Sequence, residues 1–197
     1  GAGTSGQVLQ TGGTGANPSW TNVSSDFVKV GHSELSSNAS SFTLSNVFST
    51  TYDIYEVFFQ FTRDTTSQVQ MEFEKSSDGS MQNANYYFAS NMATKNNSTS
   101  NVSCQGDWNY GNFRLHENQV STATHNALWH IKVSRPMEAL QTRWQHHCSQ
   151  YDGSYIRELH GGGWNANEEA HSGLKFSTTS GDMIAGSSCT IYGLKHA

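Results

Sequence analysis

The sequence predicts an all-β protein, an antiparallel β-sandwich of about ten short strands, on three observations. Apolar residues recur with a period of two in short runs; Gly, Ser, Thr and Asn clusters separate the runs; and no stretch carries the 3.6-residue apolar spacing of an amphipathic helix. Charged residues make up only 14% of the 197, against 12% aromatics and 18 glycines, the composition of polar loops around one apolar core. A chain of this length fits a single domain. Residues 1–23 read as a Gly-rich linking or docking segment and residues 24–197 as the sandwich.

Within residues 1–23 the apolar content is Val8, Leu9 and Trp20, too little to fold alone. Two readings stay open: a flexible linker, or a segment that these three residues anchor against neighbouring subunits. From Phe27 onward strands are expected at Phe27–Val30, Phe42–Phe48, Tyr52–Thr62 and Val69–Lys75. In the last of these Val69, Met71 and Phe73 face inward while Gln70, Glu72 and Glu74 face water. Further strands are expected at Asn85–Ala89, Phe113–Leu115, His125–Ser134, Leu140–Tyr151 and Tyr155–Leu159. Leu174–Thr179 and Cys189–Leu194 close the chain, the last strand inside its sheet. Two long stretches without a period, Asn91–Gly111 and Gly161–Ser172, read as loops. In Tyr52–Thr62 one face is Tyr55, Val57, Phe59 and Phe61, yet Tyr52, Ile54 and Phe58 on the other are also apolar. That second face packs either against another subunit or beneath a loop of its own chain.

Three segments resemble a known group. Gly3–Val23 (GTSGQVLQTGGTGANPSWTNV), Tyr52–Phe59 (YDIYEVFF) and Ser180–Lys195 (SGDMIAGSSCTIYGLK) are similar to segments of tailed-phage virion proteins of the tail-fibre tip, capsid-fibre or decoration type. The resemblance implies a jelly-roll-like sandwich assembled as a homotrimer at the virion surface, built in the bacterial cytoplasm. It also implies that the N-terminal segment docks onto other virion proteins and that the domain attaches to a bacterial surface, a host glycan being the expected contact. A shell-stabilising capsid decoration or head fibre is the alternative within the group, and a bacterial carbohydrate-binding module the alternative outside it.

Composition narrows the classes. A net charge of −5 argues against a nucleic-acid partner held through phosphates. No apolar run approaches the roughly 20 residues of a membrane-spanning helix, so no membrane insertion is expected. The absence of Met at position 1 fits either a processed chain or a trimmed one. The three cysteines, Cys104, Cys148 and Cys189, have no CxxC pairing and read as free thiols.

Sugar recognition needs a flat ring for the apolar face of a pyranose and amides or carboxylates for its hydroxyls. Asp107, Trp108, Asn109 and Tyr110 form one such group, and Trp164, Asn165 and Asn167 a second; the competing reading of each tryptophan is core or interface packing. His146, His147 and Cys148 are adjacent, but a strand sends His147 to the opposite face from the other two, so no metal or other cofactor is expected. Glu72 and Glu74 could form a hydrolytic pair, but no nucleophile elbow, P-loop or zinc-protease motif accompanies them, and the expectation is a protein without catalysis.

Overall fold

The computed structural model describes residues 1–22, 25–65, 67–114, 126–151 and 155–195; Val23, Leu115 and His125, which bound three of the expected segments, lie outside these residues. In chain order the strands are β1 (Gln7–Gln10), β2 (Ser19–Asn22), β3 (Phe27–Glu34), β4 (Ser41–Leu44), β5 (Tyr52–Thr62), β6 (Val69–Lys75) and β7 (Tyr86–Lys95). They continue as β8 (Ser100–Tyr110), β9 (Phe113–Arg114), β10 (Asn126–Ser134), β11 (Gln141–Tyr151), β12 (Ile156–Glu168), β13 (His171–Thr178) and β14 (Ser188–Lys195). An eight-stranded sheet in the order β3-β14-β5-β10-β11-β12-β7-β8 packs against a four-stranded sheet in the order β4-β13-β6-β9, and every ladder is antiparallel. The all-β sandwich expected from the sequence is the fold found. The strand that closes it, β14, lies between β3 and β5.

The two-residue period decides which side chains meet between the sheets. Along β11, Thr142, Trp144, His146, Cys148 and Gln150 are buried, while Gln141, Arg143, Gln145, His147 and Ser149 are exposed. On β5, Tyr55, Val57, Phe59 and Phe61 point inward, and Phe59 stacks on Phe176 of the opposite sheet with ring centroids 3.9 Å apart. Phe73 of β6 and Tyr86 of β7 are fully buried, and the Phe73 amide donates to the Tyr86 hydroxyl at 2.7 Å, a hydrogen bond that crosses between the sheets. Truncating a buried Phe of this kind costs about 3–5 kcal/mol.

Several expectations are corrected. Asn91–Gly111 is not a loop: it lies in the hairpin of β7 and β8, whose turn is closed by Asn96 Oδ1 accepting from the amides of Ser98 and Thr99. This hairpin ends the sheet, so backbone pairing holds it without an apolar stripe. Most of Gly161–Ser172 is likewise strand, because β12 runs on through three glycines. A Cβ on Gly161 would lie 2.2 Å from the Ala89 carbonyl oxygen and one on Gly163 2.4 Å from that of Tyr87, so β7 approaches too closely for any side chain.

Glu74 does not face water. It is buried where its Oε2 accepts from the Asn46 amide and the Ser172 hydroxyl, each at 3.2 Å, beside a register shift between His171 and Gly173. Tyr52 leaves the face of Ile54 and Phe58, because the ladder to β14 shifts at Asp53. Its ring lies over Gly193 and meets Tyr55 edge-on at 5.9 Å, packed against the core. Residues 1–22 also carry structure: β1 and β2 pair as a hairpin separate from both sandwich sheets, with Val8, Leu9 and Trp20 exposed and Trp20 Nε1 donating to the Gly1 carbonyl at 2.9 Å.

Two core histidines tie stability to pH. Burial pushes His146 down to about 3 and His171 down to about 4, from an ordinary 6.5. Each bonds a hydroxyl, Ser90 at 2.7 Å and Thr142 at 2.8 Å respectively. The unfolded chain takes up protons below about 6.5 that the folded state refuses. Their contribution is therefore complete above that pH and is lost as the pH falls toward 4 and 3, at up to about 1.4 kcal/mol per pH unit for each histidine. The urea midpoint is expected to fall between pH 6.5 and 4, with a shallower slope in His171→Gln; equal slopes would show that His171 protonates freely in the fold.

Candidate ligand-binding site

The same alternation that fills the core sends a second set of side chains to the outer face of the eight-stranded sheet. Register aligns them in rows across the strands. One row runs Ile54, Ser134, Arg143, Trp164 and Tyr87, from β5 through β10, β11 and β12 to β7. At β8 the ladder shifts: Tyr86 pairs with Tyr110 and Phe88 with Asp107, so Trp108 and Asn109 together oppose Tyr87. Asn109 adopts φ of 61°, a left-handed conformation that Asn tolerates better than most residues. Trp108 keeps its place opposite Tyr87 on the outer face, 79% exposed, and the bulge after it brings Tyr110 round to pair with the buried Tyr86.

Three rings gather there. Tyr87 and Trp164 stack with centroids 5.4 Å apart and planes 6° apart, and Trp108 stands edge-on to Tyr87 at 4.9 Å and to Trp164 at 6.4 Å. The adjacent row is Glu56, Lys132, Gln145, Gly162 and Ala89. Gly162 and Ala89 put almost no side chain beside the rings, leaving a cleft of about 630 Å³ whose lining also includes Arg143, Gln145 and Asp107. Its volume and its aromatic wall with a few convergent polar groups are those of a small-ligand site. With strands about 4.8 Å apart, five spacings from β5 to β8 make it about 24 Å long.

The polar lining is unevenly committed. Lys132 Nζ lies 3.5 Å from Glu56, which also accepts from His130 Nε2 at 2.5 Å. Arg143, Gln145 and Asp107 make no side-chain hydrogen bond or ion pair among the described residues. A second hollow of about 460 Å³, lined by His130, His147 and His160, shares Lys132 and Gln145 with the cleft. Among the described residues no three His, Cys, Asp or Glu side chains are grouped to hold a metal ion.

Of the residues singled out in the sequence, Asp107, Trp108 and Trp164 come together in this cleft, although on strands instead of loops. The others have different places. Asn109 forms the bulge, and Tyr110 lies under Arg114, whose guanidinium carbon is 3.7 Å from the ring centroid. Asn165 is buried, donating to the Ala84 carbonyl at 2.9 Å and accepting from the Asn167 amide at 3.1 Å; Asn167 in turn accepts from Asn85 at 2.6 Å. These amides fasten β12 to the approach to β7. Tyr87, Arg143 and Gln145 were missed as site residues. The alternation of Leu140–Tyr151 already placed Arg143 and Gln145 on the wet face, but only the register brings them beside Trp164.

No protein-family model matches the chain, and no curated protein matches it.

The bulge at Asn109 gives a direct test of the geometry. Asn109→Gly is expected to keep the stability and the emission spectrum of the wild type. Asn109→Val forces a β-branched residue into left-handed backbone, at a cost of about 1–2 kcal/mol, and alters the exposed Trp108 signal. Equal denaturation midpoints for the two variants would contradict the left-handed bulge.

Proposed function

We propose that the chain is the surface-exposed domain of a phage virion protein and attaches to bacteria by holding a cell-surface glycan in the outer-face cleft. The observation that carries this reading is the outer-face cluster of exposed Trp108 with half-buried Tyr87 and Trp164, beside a strip that carries almost no side chain. Leaving Trp108 in water and the outer sides of Tyr87 and Trp164 uncovered costs apolar burial that a domain normally recovers by packing such rings inward. A pyranose laid against them covers that surface with its C–H face, while Gln145, Arg143 and Ser134 supply donors and acceptors for its hydroxyls. Acid-paired glycoside hydrolysis uses two carboxylates, and among the described residues the cleft lining holds no such pair; this favours holding over cutting.

The virion assignment is supported by the resemblance of the three segments described above. Assembly as a homotrimer is part of the proposal. It is supported by apolar side chains on the outer face away from the cleft: Phe27 stacks on Tyr192 at 4.7 Å, Phe58 stacks on His130 at 4.7 Å, and Leu194 and Leu128 are exposed. The hairpin of β1 and β2, with Val8, Leu9 and Trp20 outward, is the segment proposed to dock on another virion component.

Trp108→Ala is expected to leave the free energy of unfolding within about 1 kcal/mol of wild type, since the side chain is already exposed, and to reduce binding to host cells and isolated surface polysaccharide at least tenfold. Unchanged binding by both Trp108→Ala and Trp164→Ala would remove the cleft from the function. Light scattering at micromolar concentration is expected to return three times the 21.7 kDa chain mass, and Phe58→Ser to lower it; a monomeric wild type would end the trimer.

A further inference from the structure

We infer that the glycan held in the cleft is acidic, with a sugar carboxylate seated on Arg143; this rests on the glycan-binding reading above. Arg143 is exposed on the outer face of β11, lines the cleft, and pairs in register with Trp164. Its guanidinium is engaged by no described residue, whereas the other cation in the lining, Lys132, lies against Glu56 at 3.5 Å. Arg143 is therefore the cation in the cleft not already matched to an acid. A guanidinium presents paired N–H donors in the plane and spacing of a carboxylate, and such charge-assisted pairs are about twice as strong as neutral ones.

The placement of the remaining groups gives the ligand a direction. Trp164 is directly beside Arg143, Tyr87 one strand further, and Asp107 and Trp108 on the strand after that. From β11 to β8 is three strand spacings, about 14 Å. A sugar whose carboxylate meets Arg143 lays its ring over Trp164 and Tyr87, and the chain continues toward Trp108 on β8. Gln145, two residues along β11 from Arg143 and opposite Gly162, offers an amide to the same sugar. The chemistry named is a carboxylate on a pyranose, which a hexuronic acid or a sialic-type acid can supply.

Intrinsic tryptophan fluorescence of the full chain, titrated with oligogalacturonate, with its methyl ester, and with an α-linked sialic acid oligomer, tests the inference. At least one free-acid oligomer is expected to bind tenfold or more tightly than the neutral ester, with added salt narrowing the gap. Arg143→Gln is expected to erase the difference, and Arg143→Lys to keep part of it. Whether uronate or sialate is preferred identifies the source of the carboxylate. Equal binding of ester and free acids, or a preference that survives in Arg143→Gln with an unchanged thermal midpoint, would overturn the inference while leaving glycan binding intact. Binding of none of the three, together with no response to neutral surface polysaccharide, would remove the glycan reading itself.

Discussion

The outer face of this protein is determined by what the inner face has to bury. Facing sheets share one aromatic layer, in which Phe59 stacks on Phe176 and the Phe73 amide reaches the Tyr86 hydroxyl. Those contacts exist in one register only, because a slip of one residue would send Phe59 to water and Phe58 or Gln60 into the core. Once the core has fixed the register of β5, β10, β11, β12 and β7, the alternate residues of all five strands are aligned across the sheet as well. The row from Ile54 to Tyr87 is therefore a by-product of core packing, and its chemical character is set by residues that contribute nothing to that packing.

Where the period breaks, the break has an effect on what each face presents. Asp53 shifts the ladder between β5 and β14 and turns Tyr52 onto Gly193, adding an aromatic ring to the core edge. Asn109 acts at the end of β8, after Trp108 has met Tyr87 and Trp164 outside, and brings Tyr110 to the inward side opposite Tyr86. A third shift, between His171 and Gly173, accompanies Glu74, whose carboxylate is kept in place by Asn46 and Ser172 instead of by water.

Much of the fold was legible because burial on one face of a strand writes a period of two into the sequence. The inward sets of β5, β6 and β11 could be read off directly, and so could the sandwich they form. The β7–β8 hairpin was not legible, because a polar edge needs backbone hydrogen bonds more than apolar side chains, and stretches such as Asn96 to Cys104 carry no period. The strand through Gly161, Gly162 and Gly163 was hidden for the opposite reason: where the neighbouring backbone leaves no room for a Cβ, no side-chain pattern can be present. The cleft was half legible. Trp108 and Trp164 stood out as residue types, but their meeting, and the presence of Tyr87 and Arg143 beside them, depends on pairings between segments far apart in the chain.

The side-chain-free strip at Gly162 and Ala89 separates two kinds of change that most folds couple. Gly161 and Gly163 point toward neighbouring backbone and tolerate no replacement, so the shape of the trough is rigidly inherited with the scaffold. Arg143, Gln145 and Ser134 border that trough from the solvent side, and exchanging them leaves the interior undisturbed. The chemistry of the rim can thus change one outward residue at a time while the trough and the core beneath it stay the same.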